Sequence, residues 1–203
     1  MSKYILRFPS EIGHMENNNQ WLDVVTLLYR QWAKNPMDEN KLVCLAMEAW
    51  YAILELEYKE TECLVRNLLE RDSANLQDIK TEQRKIYNIL RETISFGIKI
   101  HCDGFLFNMY VGYAAMATPV HFVGLGGDWE KTGLAMIHKA YLNDDKDLLT
   151  KVFYYESLDH YSEEFRAASR EFWTTISLSD WGDSAVQHHL FCILDGDKYH
   201  SID

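Results

Sequence analysis

The sequence predicts an all-α protein of eight or nine short helices stacked as antiparallel hairpins. Three observations lead there. Apolar residues recur at spacings of three and four, with no sustained alternation by two. Only 3 prolines and 10 glycines interrupt 203 residues. Hydrophobic residues make up 47% of the chain and aromatic residues 13%, enough for a packed core despite a net charge of -11. A chain of this length buries roughly 70% of the surface its unfolded form exposes. It reads as a polar leader over residues 1–20 and a single helical domain over residues 21–203.

The leader ends in Asn17, Asn18 and Asn19, whose side chains suit the free N–H groups at the start of a helix. Trp21, Val25, Leu28 and Trp32 form the stripe of a first helix, which Asn35 and Pro36 terminate. From Asp38 the stripe runs through Leu42, Leu45, Ala46, Ala49, Ile53 and Leu56, then Leu64 and Leu68. Because globular helices usually span about 8 to 20 residues, two helices are expected here, divided near Glu60 with Thr61 capping the second. Ile86, Leu90 and Ile94 mark a helix over residues 81–96 that ends near Gly97. The stretch 103–118 is apolar nearly all round and is expected to be the most buried helix. Residues 119–128 read as a loop with a Gly-rich tip, after which Asp128 caps a helix through Leu134, Ile137 and Tyr141, ended by Asn143.

Asp145 or Asp147 begins a short helix through Leu148, Leu149, Val152 and Phe153. The best-patterned helix carries Leu158, Tyr161, Phe165, Ala168, Phe172 and Ile176. A last one, near 183–194, turns Val186, Leu190 and Ile193 or Leu194 inward. The Trp21 stripe followed by Pro36 has the rhythm of a tetratricopeptide repeat, but it does not recur about 34 residues later. The expectation is therefore a degenerate array of that type.

Charge is unevenly distributed. Asp and Glu exceed Lys and Arg by 18 to 15 over residues 1–142 and by 13 to 5 over residues 143–203, so eight of the eleven net negative charges fall in the last 61 residues. Such a field attracts cationic partners and repels nucleic acid and anionic membranes. The expected partner is a cationic protein, with neither nucleic acid nor a membrane involved. No apolar run approaches the 18 or so residues of a membrane span. The stretch after Lys3 is broken by Arg7 and Pro9, too short for a signal sequence. Cys44, Cys63, Cys102 and Cys192 are isolated from one another and read as reduced core residues, so a cytoplasmic protein is expected.

Candidate chemistry is sparse. In GLGGDWEKTG, residues 124–133, Trp129 stands where a dinucleotide fingerprint needs glycine and Glu130 where a phosphate loop does, so a helix-entry loop is the better reading. His188 and Cys192 stand four apart beside His189, a pairing that needs further ligands from His160, His101, Cys102, Asp103 or His121 before it can hold zinc. The blander reading puts His189 and Cys192 in the core and His188 in water. His160, near Glu156, Asp159, Glu163 and Glu164, has the surroundings to raise its pKa toward general acid–base work, but no cleft or nucleophile is identifiable. Neither Cys63 nor Cys102 has a recognisable activating environment. No catalytic residue, cofactor or metal site is therefore assigned.

The acidic residues form the candidate partner-binding set: Asp144, Asp145, Asp147, Glu156, Asp159, Glu163, Glu164, Asp180 and Asp183, with Trp181 as an anchor and Trp173 as a second anchor or, equally, a core residue. About half of these carboxylates are expected to be helix caps.

LVCLAMEAWYAILELE at 42–57, DGFLFNMYVGYAAMATPVHF from 103 and WEKTGLAMIHKAYLNDDKDLL ending at 149 resemble the aromatic-rich, repeat-like helical immunity proteins of bacterial polymorphic or contact-dependent growth inhibition toxins. The resemblance covers about a third of the chain. It implies a non-catalytic protein that occludes a cognate toxin domain, often a cationic nuclease. Two readings from other classes stand beside it: a scaffold binding peptides in a helical groove, and a metal-dependent enzyme using His188 and Cys192.

Overall fold

The computed structural model describes residues 4–70, 76–176 and 181–195, and among these every regular element is a helix. The α-helices are α1 (Ile12–Asn17), α2 (Trp21–Ala33), α3 (Glu39–Glu70), α4 (Leu76–Ile100), α5 (Gly112–Ala117), α6 (Trp129–Asn143), α7 (Leu148–Leu158), α8 (Glu163–Thr175) and α9 (Ala185–Leu194). A π-helical segment, Phe107–Val111, leads into α5, and a 3₁₀ segment, Pro119–Leu125, connects α5 to α6. Helices adjacent in sequence pack against each other, α2 on α3, α3 on α4, α5 on α6, α6 on α7 and α7 on α8. The all-α class is thus as the sequence predicts.

The core is organised around α3, from which Leu42 through Trp50 are all buried. This helix is one continuous run of 32 residues, where two were expected. Thr61 does not cap a new helix; its hydroxyl donates back to the Glu57 carbonyl at 3.0 Å, an interaction compatible with uninterrupted helix. Packing of α4 and α2 along α3 supplies the support that length alone would not. Trp50, 1% exposed, donates its indole N–H to Thr118 Oγ1 at 2.6 Å and so joins α3 to the end of α5.

Described residues from the first part of the chain pack onto α3. Ile5, Leu6 and Ile12 are buried in the same core as α3, and residues 12–17 form α1. Asn17 to Asn19 do not cap α2, whose first residue follows Gln20 without a side-chain cap; Asn19 instead takes φ 57°, a conformation asparagine tolerates better than most residues.

Gly97 is interior to α4 and does not end it, because the Phe107 ring packs where a Cβ would stand. The buried stretch after Asp103 is divided by its π turn, yet every residue from Phe107 to Ala115 is buried as anticipated. Gly112 and Gly133 let α5 and α6 cross closely: a Cβ on Gly112 would lie 2.8 Å from Met136 Cβ. Tyr110 and Tyr113 meet Phe153 of α7 edge-on at 5.2 and 5.3 Å.

The helix expected from Leu158 to Ile176 begins only at Glu163, with Ser162 as its cap accepting from Phe165 N at 3.1 Å. Leu158 is instead the last residue of α7 and Tyr161 lies in the turn before α8, 62% and 68% exposed. Their apolar spacing continues the helical period without belonging to the helix. By contrast, Asp128 and Asp147 cap α6 and α7 as expected, and Ser184 with Gln187 forms a reciprocal capping box on α9.

Candidate functional site

A cleft of about 840 Å³ opens where α1, α3 and α9 converge. Its walls carry His14 and Glu16 from α1, Tyr51 from α3, Asp183, and His188, His189 and Cys192 from α9. Glu16 is the anchor of this arrangement. It is 5% exposed, and its Oε2 accepts the Ala185 N–H at 2.9 Å, placing a carboxylate at the start of α9 where the helix dipole favours negative charge. Behind it Glu48 is fully buried. Loss of hydration holds the Glu48 carboxyl well above its ordinary pKa, and the neighbouring Glu16 charge pushes in the same direction. Burial raises Glu16 as well, but the Ala185 N–H and the hydrogen bond with Glu48 oppose it. The proton therefore resides on Glu48, which donates to the Glu16 carboxylate.

Above this pair, the Tyr51 hydroxyl donates to Glu55 at 2.7 Å, and burial together with that carboxylate raises its pKa. His189 stacks edge-on against Trp50 at 5.6 Å and lies 5.1 Å from the Tyr51 ring; burial lowers its pKa, with Glu55 opposing. His188 and Cys192 are exposed on the same wall; Cys102 is exposed as well and Cys63 half-buried, so of the four cysteines expected in the core only Cys44 is buried there. Among the described residues no group of three His, Cys, Asp or Glu side chains converges as a metal site would require. The cleft offers anionic groups and imidazoles, a lining suited to an ammonium or guanidinium group.

The acidic set picked from the sequence divides by position. Asp144 accepts the Tyr4 hydroxyl at 2.9 Å, and Asp147 caps α7 through Thr150 N at 3.1 Å. Asp145, Asp159, Glu163, Glu164 and Asp183 are exposed, Asp159 accepting Tyr161 N at 2.9 Å. These do not make one continuous plate. Asp145 and Asp159 flank the two ends of α7, whose 11 residues span about 16 Å. Asp183 lines the cleft beside α1.

Two members of the set are turned inward. Trp181 is 2% exposed and donates its indole N–H to the Gln187 carbonyl at 2.7 Å, in a ring cluster with Phe172 and Trp173, so it is a core residue and no surface anchor. Trp173 is partly buried, with its N–H on the Leu194 carbonyl at 3.2 Å. The Glu156 side chain is 10% exposed and burial pushes its carboxyl up to about 7. His160 lies 3.7 Å away, and its pKa is lowered by burial, with Asp159 opposing, the reverse of the rise expected from its acidic neighbours. A Glu156 that keeps its proton supplies no charge to raise it. Asp180 lies outside the described residues.

Sequence reasoning missed Glu16 and Glu48 as a pair. The signal available was Glu48 alone, a carboxylate inside the apolar run LVCLAMEAW. The Gly-rich tip behaves as anticipated: Gly126 and Gly127 take φ 76° and 87°, which only glycine adopts freely, and Asp128 then starts α6. No family model, curated protein or solved structure matches the chain. Among the described residues no helix is long and apolar enough to cross a membrane.

Proposed function

We propose that this chain is a non-catalytic binding protein that neutralises a cationic bacterial toxin domain, such as a nuclease, by occluding it, in the manner of the immunity proteins it resembles. The observation that carries the reading is that, among the described residues, the exposed Asp145, Glu163, Glu164 and Asp183 are in no ion pair, in the part of the chain that holds most of its net negative charge. Unpaired surface carboxylates keep their full field toward solvent, and such fields accelerate encounter with a cationic surface. The cleft beside Asp183 adds a recess in which a basic side chain is desolvated against Glu16, where contact energy concentrates more than at a flat rim.

The test begins with a toxin domain encoded beside this chain. Its association rate is expected to fall about tenfold or more from low to high salt, through screening of the exposed carboxylates. Reversing Glu163 and Glu164 to Lys is expected to slow association further while leaving the fold intact, since both are exposed. A partner that binds equally fast in low and high salt, or is indifferent to that reversal, refutes the electrostatic reading and favours recognition through an uncharged groove.

A further inference from the structure

A second cavity, of about 590 Å³, lies between the first half of α4 and the 3₁₀ segment, and its charge is opposite to that of the protein as a whole. Lys80, Arg84, Tyr87 and Arg91 lie along one face of α4, at helical spacings of four, three and four. Lys80 is neutralised by Glu60 at 3.3 Å. Arg84 and Arg91 are exposed and have no carboxylate partner among the described residues. In a chain of net charge -11, this recess gathers two guanidinium groups that no carboxylate among the described residues neutralises.

The opposite wall is built to hold them open. Glu57 accepts the Tyr87 hydroxyl at 3.1 Å and is 3.1 Å from His121 Nε2, so the nearest carboxylate is already engaged. That contact leaves Nδ1 of His121, a residue 3% exposed, buried and without a partner. Gly124 completes the wall: a Cβ there would stand 2.5 Å from Arg91 Cζ and 2.6 Å from its Nε, so the guanidinium lies flat against the backbone because the side chain is missing.

We propose that this groove is an anion site for a small phosphate-bearing ligand, with Arg84 and Arg91 as its two guanidinium arms. Their Cα atoms are about 10 Å apart along the helix, a separation that two arginine side chains close by reaching toward each other over a ligand with more than one anionic group. The two guanidinium forks of α4 offer several N–H donors, which match the many oxygens of a phosphate-bearing ligand. Nucleic acid is disfavoured by the acidic remainder of the molecule. The site is independent of the proposed toxin contact.

Pyrophosphate is the probe, titrated into the full chain in chloride buffer by calorimetry and by following the Gly124 amide resonance, with citrate in a parallel arm. Saturable binding with a shift at Gly124 is expected. Arg84→Gln and Arg91→Gln are each expected to weaken it about tenfold or more, the effect of losing one charge-assisted pair. Gly124→Ala keeps every charge and is expected to weaken binding as well, by displacing the Arg91 guanidinium; the flexible end of that side chain can yield, so the fold should survive, as a thermal melt would verify. The proposal is overturned if pyrophosphate shows no saturable binding at about 10 mM, a limit corresponding to less than about 3 kcal/mol. Citrate binding as tightly as pyrophosphate, or wild-type affinity in all three variants, overturns it too.

Discussion

Replacing Glu156 by Gln should stabilise this protein by an amount that grows as pH rises from about 4.5 to 7 and then levels off. The carboxyl is nearly covered on α7, its Oε2 has no partner, and burial pushes its pKa from the ordinary 4.5 up to about 7. Between those values the unfolded chain has released this proton while the folded chain retains it. Stability therefore falls as pH rises through that window and levels off once the folded carboxyl ionises too. At the plateau, ionised Glu156 costs the native state about 3 kcal/mol. Glutamine carries no charge at any pH, so Glu156→Gln should match the wild type near pH 4 and exceed it by up to about 3 kcal/mol at pH 8, less any cost of burying the amide. His160 titrates in the opposite sense, because burial lowers its pKa, but it is present in both proteins and largely cancels from their difference. Urea denaturation from pH 5 to 8 reads this directly, as a midpoint higher by about 1 M at pH 8 with the slope unchanged. A difference that does not vary with pH, or a variant less stable than wild type at pH 8, would refute the reasoning and return Glu156 to the surface carboxylates.

Three further perturbations test the packing and the caps. Gly97→Ala places a methyl in the Phe107 ring and should cost about 1 to 3 kcal/mol in thermal or chemical unfolding; a change below about 0.5 kcal/mol would mean that α4 does not pack on the π segment as described. Asp147→Ala should cost about 1 kcal/mol as a lost cap, while Asp145→Ala, two residues earlier and exposed, should stay within about 0.5 kcal/mol. Glu48→Gln should be nearly silent because the amide replaces a protonated acid and still donates to Glu16, whereas Glu16→Ala strips the Ala185 N–H of its acceptor and should cost about 1 to 3 kcal/mol. If Glu48→Gln proves the more damaging of the two, the proton has been placed on the wrong carboxyl.

How much was legible beforehand depended on whether the deciding interaction was local. Asp128, Asp147 and Asn143 mark helix ends through neighbours three or four residues away, so their roles were readable. Leu158 and Tyr161 fit the period of the helix that follows yet lie outside it, because Ser162 provides a cap that interrupts a continuing apolar pattern. The acidic neighbours of Trp181 suggest a surface anchor, but a tryptophan is placed by the rings it can reach, and Phe172 and Trp173 are within reach. The continuity of α3 depended on α2 and α4 lying alongside it, and Gly97 fell inside α4 because Phe107 needed its missing side chain.

The sequence by itself determined the helical class, most of the stripes that face inward and the excess of negative charge toward the carboxyl end, since periodicity and composition need no partner to be expressed. Only the tertiary structure decided which carboxylates reach solvent. It drew Glu16 and Glu48, from α1 and α3, against the start of α9, buried Glu156 and Trp181, and gathered Arg84 and Arg91 opposite Gly124. The physical reason is that a charged group's hydration and partners are set by residues distant in the chain, whereas its helix is specified largely within a few turns.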